Sequence, residues 1–113
     1  MLVVDDYASV YDLIASKLAA VGYRVFTAPG GYEAQAMIVN PPGLSVDLLI
    51  TDIEMPRMRG EDLADWLQRT QPRARVLFMS TCKNDVRLNS TFAFLQKPFQ
   101  LDWLTSVVAG LLK

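Results

Sequence analysis

The feature of this sequence that most constrains its fold is a regular alternation of short apolar runs with segments of helical period. Five runs are apolar or rich in β-branched residues and are bounded by Asp, Pro, Gly or Asn: residues 1–4, 23–28, 46–51, 75–80 and 92–96. Four of the five lack polar alternation, which is typical of strands covered by helices on both faces. The 23–28 run is more mixed and favours an edge strand.

The segments between the runs carry apolar residues at helical spacing. The first stripe consists of Val10, Leu13, Ile14, Leu18 and Val21. Ser9 and Asp12 are placed as a capping pair at the start of this helix, and Gly22 as its stop. Three further stripes are Ala34, Met37 and Ile38; Leu63, Trp66 and Leu67; and Leu101, Leu104, Val107, Val108 and Leu111. This alternation predicts right-handed crossovers and an α/β fold, with a parallel sheet between two layers of helices.

The fourth connection is less regular than the others. Residues 81–91 are eleven in number, polar and poorly periodic, which is near the minimum for a parallel crossover. We expect one or two helical turns over residues 84–88, so the fourth helix is predicted to be short or absent.

Composition excludes several classes of function. The 113 residues suit a single domain, and eleven basic against twelve acidic residues leave no excess charge to attract a nucleic acid. The absence of histidine excludes Ser-His and Cys-His triads and histidine metal sites within this chain, and the lone Cys82 excludes an internal disulfide. The longest apolar stretches, about six residues, are too short for a signal peptide or a bilayer span. We therefore expect a cytoplasmic domain that binds neither nucleic acid nor membrane.

Candidate reactive residues follow the predicted strands, because ligands of open parallel sheets bind at the carboxyl ends of the strands. These residues are Asp5 and Asp6 after the first run, Asp52 and Glu54 after the third, Ser80 at the end of the fourth and Lys97 after the fifth. Clustered carboxylates are hard oxygen ligands of the kind that Mg²⁺ prefers. A carboxylate beside Mg²⁺ can attack a phosphoryl group, whose oxygens a lysine and a hydroxyl can stabilise.

Four motifs resemble those of the receiver domain of two-component response regulators. They are Leu-Val-Val-Asp-Asp at 2–6, Leu-Ile-Thr-Asp-Ile-Glu-Met-Pro at 49–56 with Gly60, Phe-Met-Ser at 78–80, and Lys-Pro-Phe at 97–99. They occur in the family's order and cover essentially the whole chain. The resemblance implies a flavodoxin-like fold with a five-stranded parallel sheet in the order 2-1-3-4-5, and a bacterial signalling function.

The resemblance also implies a role for each matching residue. Asp52 would accept the phosphoryl group and, with Asp5, Asp6 and the backbone carbonyl of Glu54, would hold Mg²⁺. Ser80 would bond a phosphoryl oxygen, Lys97 would pair with the phosphate, the Lys97–Pro98 peptide would be cis, and Phe94 would be the aromatic switch residue.

The implied partner is a sensor histidine kinase or a histidine phosphotransfer domain, with a possible output domain or partner protein downstream. Such a domain assists its own phosphorylation and dephosphorylation without being a multiple-turnover enzyme. The string at 94–99, Phe-Leu-Gln-Lys-Pro-Phe, looks most like receivers at the C-terminal end of hybrid sensor kinases.

Several positions depart from the family pattern. Thr81 stands where a small residue is usual and is expected to slow both phosphorylation by small donors and hydrolysis. Glu54 and Cys82 flank the site, and Tyr7, after the acidic pair, is a candidate shield for the metal. Arg57 and the neighbouring Arg59 are expected to be solvated, with pairing to Glu54 or steering of an anionic donor as the alternative. The short 81–91 segment puts the usual dimerisation face in doubt.

Taken singly, each site residue has an ordinary interpretation. An acidic pair at a strand end is commonly solvated, Asp52 could cap a turn, Lys97 could be a surface lysine, and Phe94 is a core residue by default. Two other functions stay open: an unphosphorylated receiver-like interaction module, and a phosphatase with an aspartyl nucleophile and Glu54 as its general acid.

Overall fold

The computed structural model describes residues 1–80 and 92–112 of the chain. Its elements in chain order are β1 (Leu2–Val4), α1 (Ala8–Ala20), β2 (Phe26–Ala28), α2 (Gly31–Val39), β3 (Leu48–Asp52), α3 (Gly60–Thr70), β4 (Arg75–Ser80), β5 (Phe92–Gln96) and α4 (Leu101–Leu111). The expected crossover helix at 84–88, together with Thr81 and Cys82, lies outside the described residues. None of the helices within the described part of the chain is long and apolar enough to cross a membrane.

The strands form one parallel sheet in the order β2-β1-β3-β4-β5, which confirms the predicted fold class. Val4 pairs with Thr51, so the carboxyl ends of β1 and β3 lie side by side. Ser80 pairs with Gln96, which places the ends of β4 and β5 beside each other in the same way. This register brings the residues at or just after the carboxyl ends of four strands to one edge of the sheet.

The core lies on both faces of the sheet, because successive side chains of a strand point to opposite faces. Leu2 and Val4 pack with α2 and α3, whereas Val3 between them packs with α1 and α4. All three are fully buried. The central strands must therefore be apolar at every position, which explains why their runs lack polar alternation.

The second strand is shorter than predicted, since it begins at Phe26 rather than at residue 23. The backbone N–H of Tyr23 donates to Leu18 O, 3.2 Å away, and so closes the end of α1 instead of joining the sheet. The backbone O of Arg24 accepts from the amino terminus at 2.8 Å. The expected edge position of this strand is confirmed.

The predicted apolar stripe of α1 is partly wrong. Ile14 and Leu18 are buried, but Leu13 is 57% exposed and Val21 is 54% exposed. The helix buries a face that includes Tyr11, which turns Leu13 outward, and Val21 follows the last helical turn. The predicted Ser9 and Asp12 cap is also wrong, because the helix begins at Ala8 and has no side-chain cap. The predicted stop is confirmed at Gly22, whose φ of 103° favours glycine.

Candidate functional site

Three carboxylates meet at the carboxyl edge of the sheet. Asp5 follows β1, Asp52 is the last residue of β3, and these strands are neighbours. One carboxylate oxygen from each of Asp5, Asp6 and Asp52 lies within 4.8 Å of the others. The structure thus brings together the three aspartates that the sequence placed at strand ends.

The cluster is largely withdrawn from solvent, and its oxygens differ in their partners. Asp5 is fully buried, and its Oδ1 accepts from the backbone N–H of Tyr7 at 3.0 Å. Asp6 Oδ1 is buried without a hydrogen-bond partner among residues 1–80 and 92–112. A buried oxygen without a donor, beside two more carboxylates, fits the preference of Mg²⁺ for oxygen ligands.

Lys97 brings a positive charge to these acids. Its Nζ donates to Asp5 Oδ2 at 2.7 Å and lies 3.6 Å from Asp52 Oδ2. The backbone N–H of Lys97 donates to Ser80 O at 2.8 Å, which aligns the lysine with the end of β4. The side chain is only 17% exposed, so it is not an ordinary surface lysine. The Lys97–Pro98 peptide is cis, as the resemblance implied.

Burial and charge act in opposite directions on the two ionisable groups of this pair. Burial raises the pKa of Asp52, Lys97 lowers it, and the charges of Asp5 and Glu54 raise it further, to about 6. Burial alone would lower the pKa of Lys97, but the hydrogen bond to Asp5 and the two carboxylate charges raise it. At neutral pH the site therefore holds a mostly ionised Asp52 beside a charged lysine.

The hydroxyl of Ser80 is engaged by a side chain that the resemblance involved only through its backbone. Ser80 Oγ donates to Glu54 Oε1. Ser80 is fully buried at the end of β4, and the backbone N–H of Ile53 donates to Met79 O at 3.0 Å, one residue beyond the end of β3. Because this hydrogen bond extends the pairing of β3 with β4, Glu54 lies beside Ser80. Nothing in the local sequence signals the contact, because the two residues lie 26 positions apart.

Gly60 allows α3 to begin against the backbone of Asp52. A Cβ atom at Gly60 would lie 2.1 Å from Asp52 O, a distance at which the two atoms would overlap. The backbone N–H of Gly60 donates to Ile53 O at 3.0 Å. Glycine at this position of the motif is therefore explained by close approach of two backbones.

The loop between β3 and α3 is tied to α2 rather than to the acidic cluster. Arg57, whose φ is 71°, lies 3.1 Å from both carboxylate oxygens of Glu33 and 5.9 Å from the ring centroid of Tyr32. Arg59 pairs with Glu61 at 2.9 Å. Both arginines are exposed, as expected, and each also pairs with an acidic side chain; Arg57 takes Glu33 as its carboxylate partner instead of Glu54.

Two aromatic candidates occupy different surroundings. Phe94 is partly buried, stands opposite Phe78 in the sheet and packs against the core on the side of α2 and α3. Its role as a switch stays a prediction. Tyr7 is 64% exposed, and the contact it makes with the acidic cluster is through its backbone N–H, so the structure does not favour a shielding ring.

Comparison with known proteins identifies the same family as the motifs. The family described as the response regulator receiver domain matches residues 1–109. Sensor kinase CckA of Brucella abortus is 32% identical over 118 residues, which cover all of this chain and 12% of that protein. The DNA-binding transcriptional regulator NtrC of Azospirillum brasilense is 30% identical over 96% of this chain and 23% of its own length.

Among solved structures, the receiver domain from the hybrid histidine kinase CckA superposes with a TM-score of 0.84 at 31% identity, covering 99% of this chain and 97% of that one. This similarity agrees with the likeness of residues 94–99 to hybrid-kinase receivers. The chain spans between 12% and 55% of the length of eight curated relatives that it matches.

Proposed function

The chain belongs to the family of response regulator receiver domains and serves as a phosphoacceptor module in two-component signalling; on that premise we propose that Asp52 is the residue that receives the phosphoryl group. The observation that carries this assignment is the position of its carboxylate, buried at the carboxyl edge of the sheet with Lys97 Nζ 3.6 Å away.

The hydrogen bonds of the two buried aspartates support Asp52 over Asp5 as the nucleophile. Both carboxylate oxygens of Asp5 accept close hydrogen bonds, one from Lys97 at 2.7 Å and one from the backbone of Tyr7 at 3.0 Å. Asp52 is held less tightly by the lysine, and a carboxylate with a pKa of about 6 is mostly ionised at neutral pH. Of the two carboxylates, the one whose oxygens are held less tightly is the better nucleophile.

The proposed step is transfer from a phosphohistidine of the partner, because this chain contains no histidine. An Asp52 oxygen forms a bond to phosphorus while the bond from phosphorus to the imidazole nitrogen breaks. The electron pair leaves with that nitrogen, and a neutral imidazole results once a proton is bound. Lys97 places positive charge beside the phosphoryl oxygens, and the Ser80 hydroxyl is the proposed donor to one of them.

Mg²⁺ is the proposed cofactor, held by Asp5, Asp6, Asp52 and the backbone carbonyl of Glu54. When bound, it supplies positive charge that offsets the phosphoryl group and the clustered acids. The Oδ1 atom of Asp6, buried and without a hydrogen-bond partner in the part of the chain that the structure describes, supports this assignment.

Receiver domains work with histidine kinases and output domains. For this chain we propose a sensor histidine kinase or a histidine phosphotransfer domain as the donor, and an output domain or separate partner protein as the target. We also propose that residues 1–113 form a single receiver domain, that it works in the cytoplasm, and that it is not a multiple-turnover enzyme.

The assignment is tested by intact-mass spectrometry after incubation with acetyl phosphate and Mg²⁺. We expect a single phosphoryl adduct that disappears in Asp52→Asn and in EDTA but persists in Asp65→Asn, which removes an exposed carboxylate on α3. An adduct that survives in Asp52→Asn would overturn the assignment. If neither acetyl phosphate nor a phosphorylated kinase gave an adduct, a constitutive interaction module would replace the proposal.

A further inference from the structure

The contact between Ser80 and Glu54 has a consequence for the proposed reaction. Ser80 Oγ is the proposed donor to a phosphoryl oxygen, yet in this structure it donates to Glu54 Oε1. A serine hydroxyl carries one proton and can donate only one hydrogen bond. The two hydrogen bonds are therefore mutually exclusive.

The backbone delivers the Glu54 carboxylate to this place. On one side, the backbone N–H of Ile53 donates to Met79 O at 3.0 Å, which extends the pairing of β3 with β4. On the other side, Gly60 N–H donates to Ile53 O at 3.0 Å and holds the start of α3 against this segment. Because Ile53 is fixed by both bonds, Glu54 begins from a defined position beside the end of β4.

We propose that Glu54 is a positioning residue that holds the Ser80 hydroxyl in the unphosphorylated receiver and must release it before Ser80 can bond to a phosphoryl group on Asp52. The inference rests on the proposed function of Asp52. A hydrogen bond to an ionised carboxylate is about twice as strong as one between neutral groups, so Glu54 is an effective competitor for the hydroxyl. Glu54 therefore opposes phosphorylation, and recaptures Ser80 once the phosphoryl group has left.

Release of Ser80 by Glu54 also removes a connection between the loop after β3 and the end of β4. The hydrogen bond joins the loop after β3 to the last residue of β4, whose backbone O accepts from Lys97. Exchange of the Ser80 partner breaks the side-chain link between loop and strand while that backbone bond to Lys97 remains. The exchange thus gives the end of β4 a structural difference between the two states.

The test is a double-mutant cycle with Glu54→Ala, Ser80→Ala and the double variant. Two quantities are measured for each protein: the rate constant of adduct formation with acetyl phosphate and Mg²⁺, and the Kd for beryllofluoride, a phosphoryl mimic, by calorimetry. We expect Glu54→Ala to raise the rate constant and tighten binding by about tenfold, the size of a charge-assisted hydrogen bond lost from the starting state. In the Ser80→Ala background the same substitution is expected to change both by less than about twofold.

Glu54→Gln separates the hydrogen bond from the charge, because the amide oxygen still accepts from Ser80 while the negative charge is gone. We expect a smaller gain than in Glu54→Ala, and no gain in the exposed-charge control Asp65→Asn. If the Ser80→Ala protein does not fold, the comparison of Glu54→Gln with Glu54→Ala, both with Ser80 present, still separates the effect of the hydrogen bond from that of the charge.

Equal gains from Glu54→Ala with and without Ser80 would overturn the inference, because they would show charge repulsion alone. Equal gains in Glu54→Gln and Glu54→Ala, or no gain in either, would overturn it as well. In all of these cases wild-type protein still forms its adduct on Asp52, so the proposed function stands. If neither the wild-type protein nor any variant formed an adduct with acetyl phosphate or with a phosphorylated kinase, the proposed function would fail, and this inference with it.

Discussion

Replacing Asp52 by asparagine is expected to stabilise the metal-free protein. Asparagine has nearly the same shape as aspartate but no charge to desolvate. Burial is the largest reason that the pKa of Asp52 rises from 3.8 to about 6, and this net value already includes the attraction of Lys97. A group whose pKa is higher in the folded state is less stable there in its ionised form, so removing that charge favours folding.

The expected gain in unfolding free energy follows from the pKa shift of Asp52. A rise of roughly two pKa units corresponds to about 3 kcal/mol of unfolding free energy. Water at the open edge of the sheet reduces this, so we expect Asp52→Asn to gain about 2 kcal/mol at pH 7.5. For a domain of this size that is an increase in Tm of about 8 °C.

The stability gained in Asp52→Asn is expected to depend on pH, whereas a gain from better packing alone would not. Above pH 6 the wild-type carboxylate is ionised in both folded and unfolded chains, and the gain from asparagine is complete. As the pH falls from about 6 towards 4, folded Asp52 takes up a proton, the wild-type protein loses its penalty, and the gain shrinks towards zero.

Urea unfolding in EDTA at pH 7.5, 6 and 4.5 measures this difference, with Asp65→Asn as the exposed-carboxylate control (the three pH values bracket the folded pKa of about 6). Added Mg²⁺ is expected to stabilise the wild-type protein more than Asp52→Asn, because the variant lacks one proposed ligand. A variant no more stable than wild type at pH 7.5, or a gain that does not change with pH, would refute the reasoning.

Three further substitutions test other parts of the structure by urea unfolding. Gly60→Ala is expected to cost about 3 kcal/mol of unfolding free energy, because its Cβ would lie 2.1 Å from Asp52 O. Gly110→Ala is the control, since Gly110 lies in α4 with open space around it, and this change should be neutral or slightly stabilising. Equal costs in the two variants would contradict the close approach at Gly60. Leu18→Ala should cost about 3 kcal/mol and the exposed Leu13→Ala less than about 0.5 kcal/mol, whereas similar losses would restore the predicted α1 stripe. Lys97→Met should cost about 3 kcal/mol in EDTA by leaving buried Asp5 without its cation, and an unchanged stability would show that the pair at 2.7 Å is unimportant for folding.

Much of the fold was predictable from the sequence because its signals are local. A parallel strand buried on both faces needs an apolar residue at nearly every position, so the central runs were recognisable without any knowledge of their partners. The carboxyl ends of such strands meet at one edge, and this placed Asp5, Asp52 and Lys97 together before their distances were known. The mixed run at the edge was predicted too long, because Tyr23 uses its backbone to close α1 instead of joining the sheet.

Tertiary structure decided how these residues divide their interactions. Lys97 lies closer to Asp5 than to Asp52 although it is 92 residues from Asp5 in the chain, and Ser80 donates to Glu54 rather than to an aspartate. By itself, the sequence determined which residue types reach the edge of the sheet, because strand periodicity and strand ends are local properties. Hydrogen-bond partners, the raised pKa of Asp52 and the outward face of Leu13 depend on distances and burial between distant segments, and only the packed chain decides these.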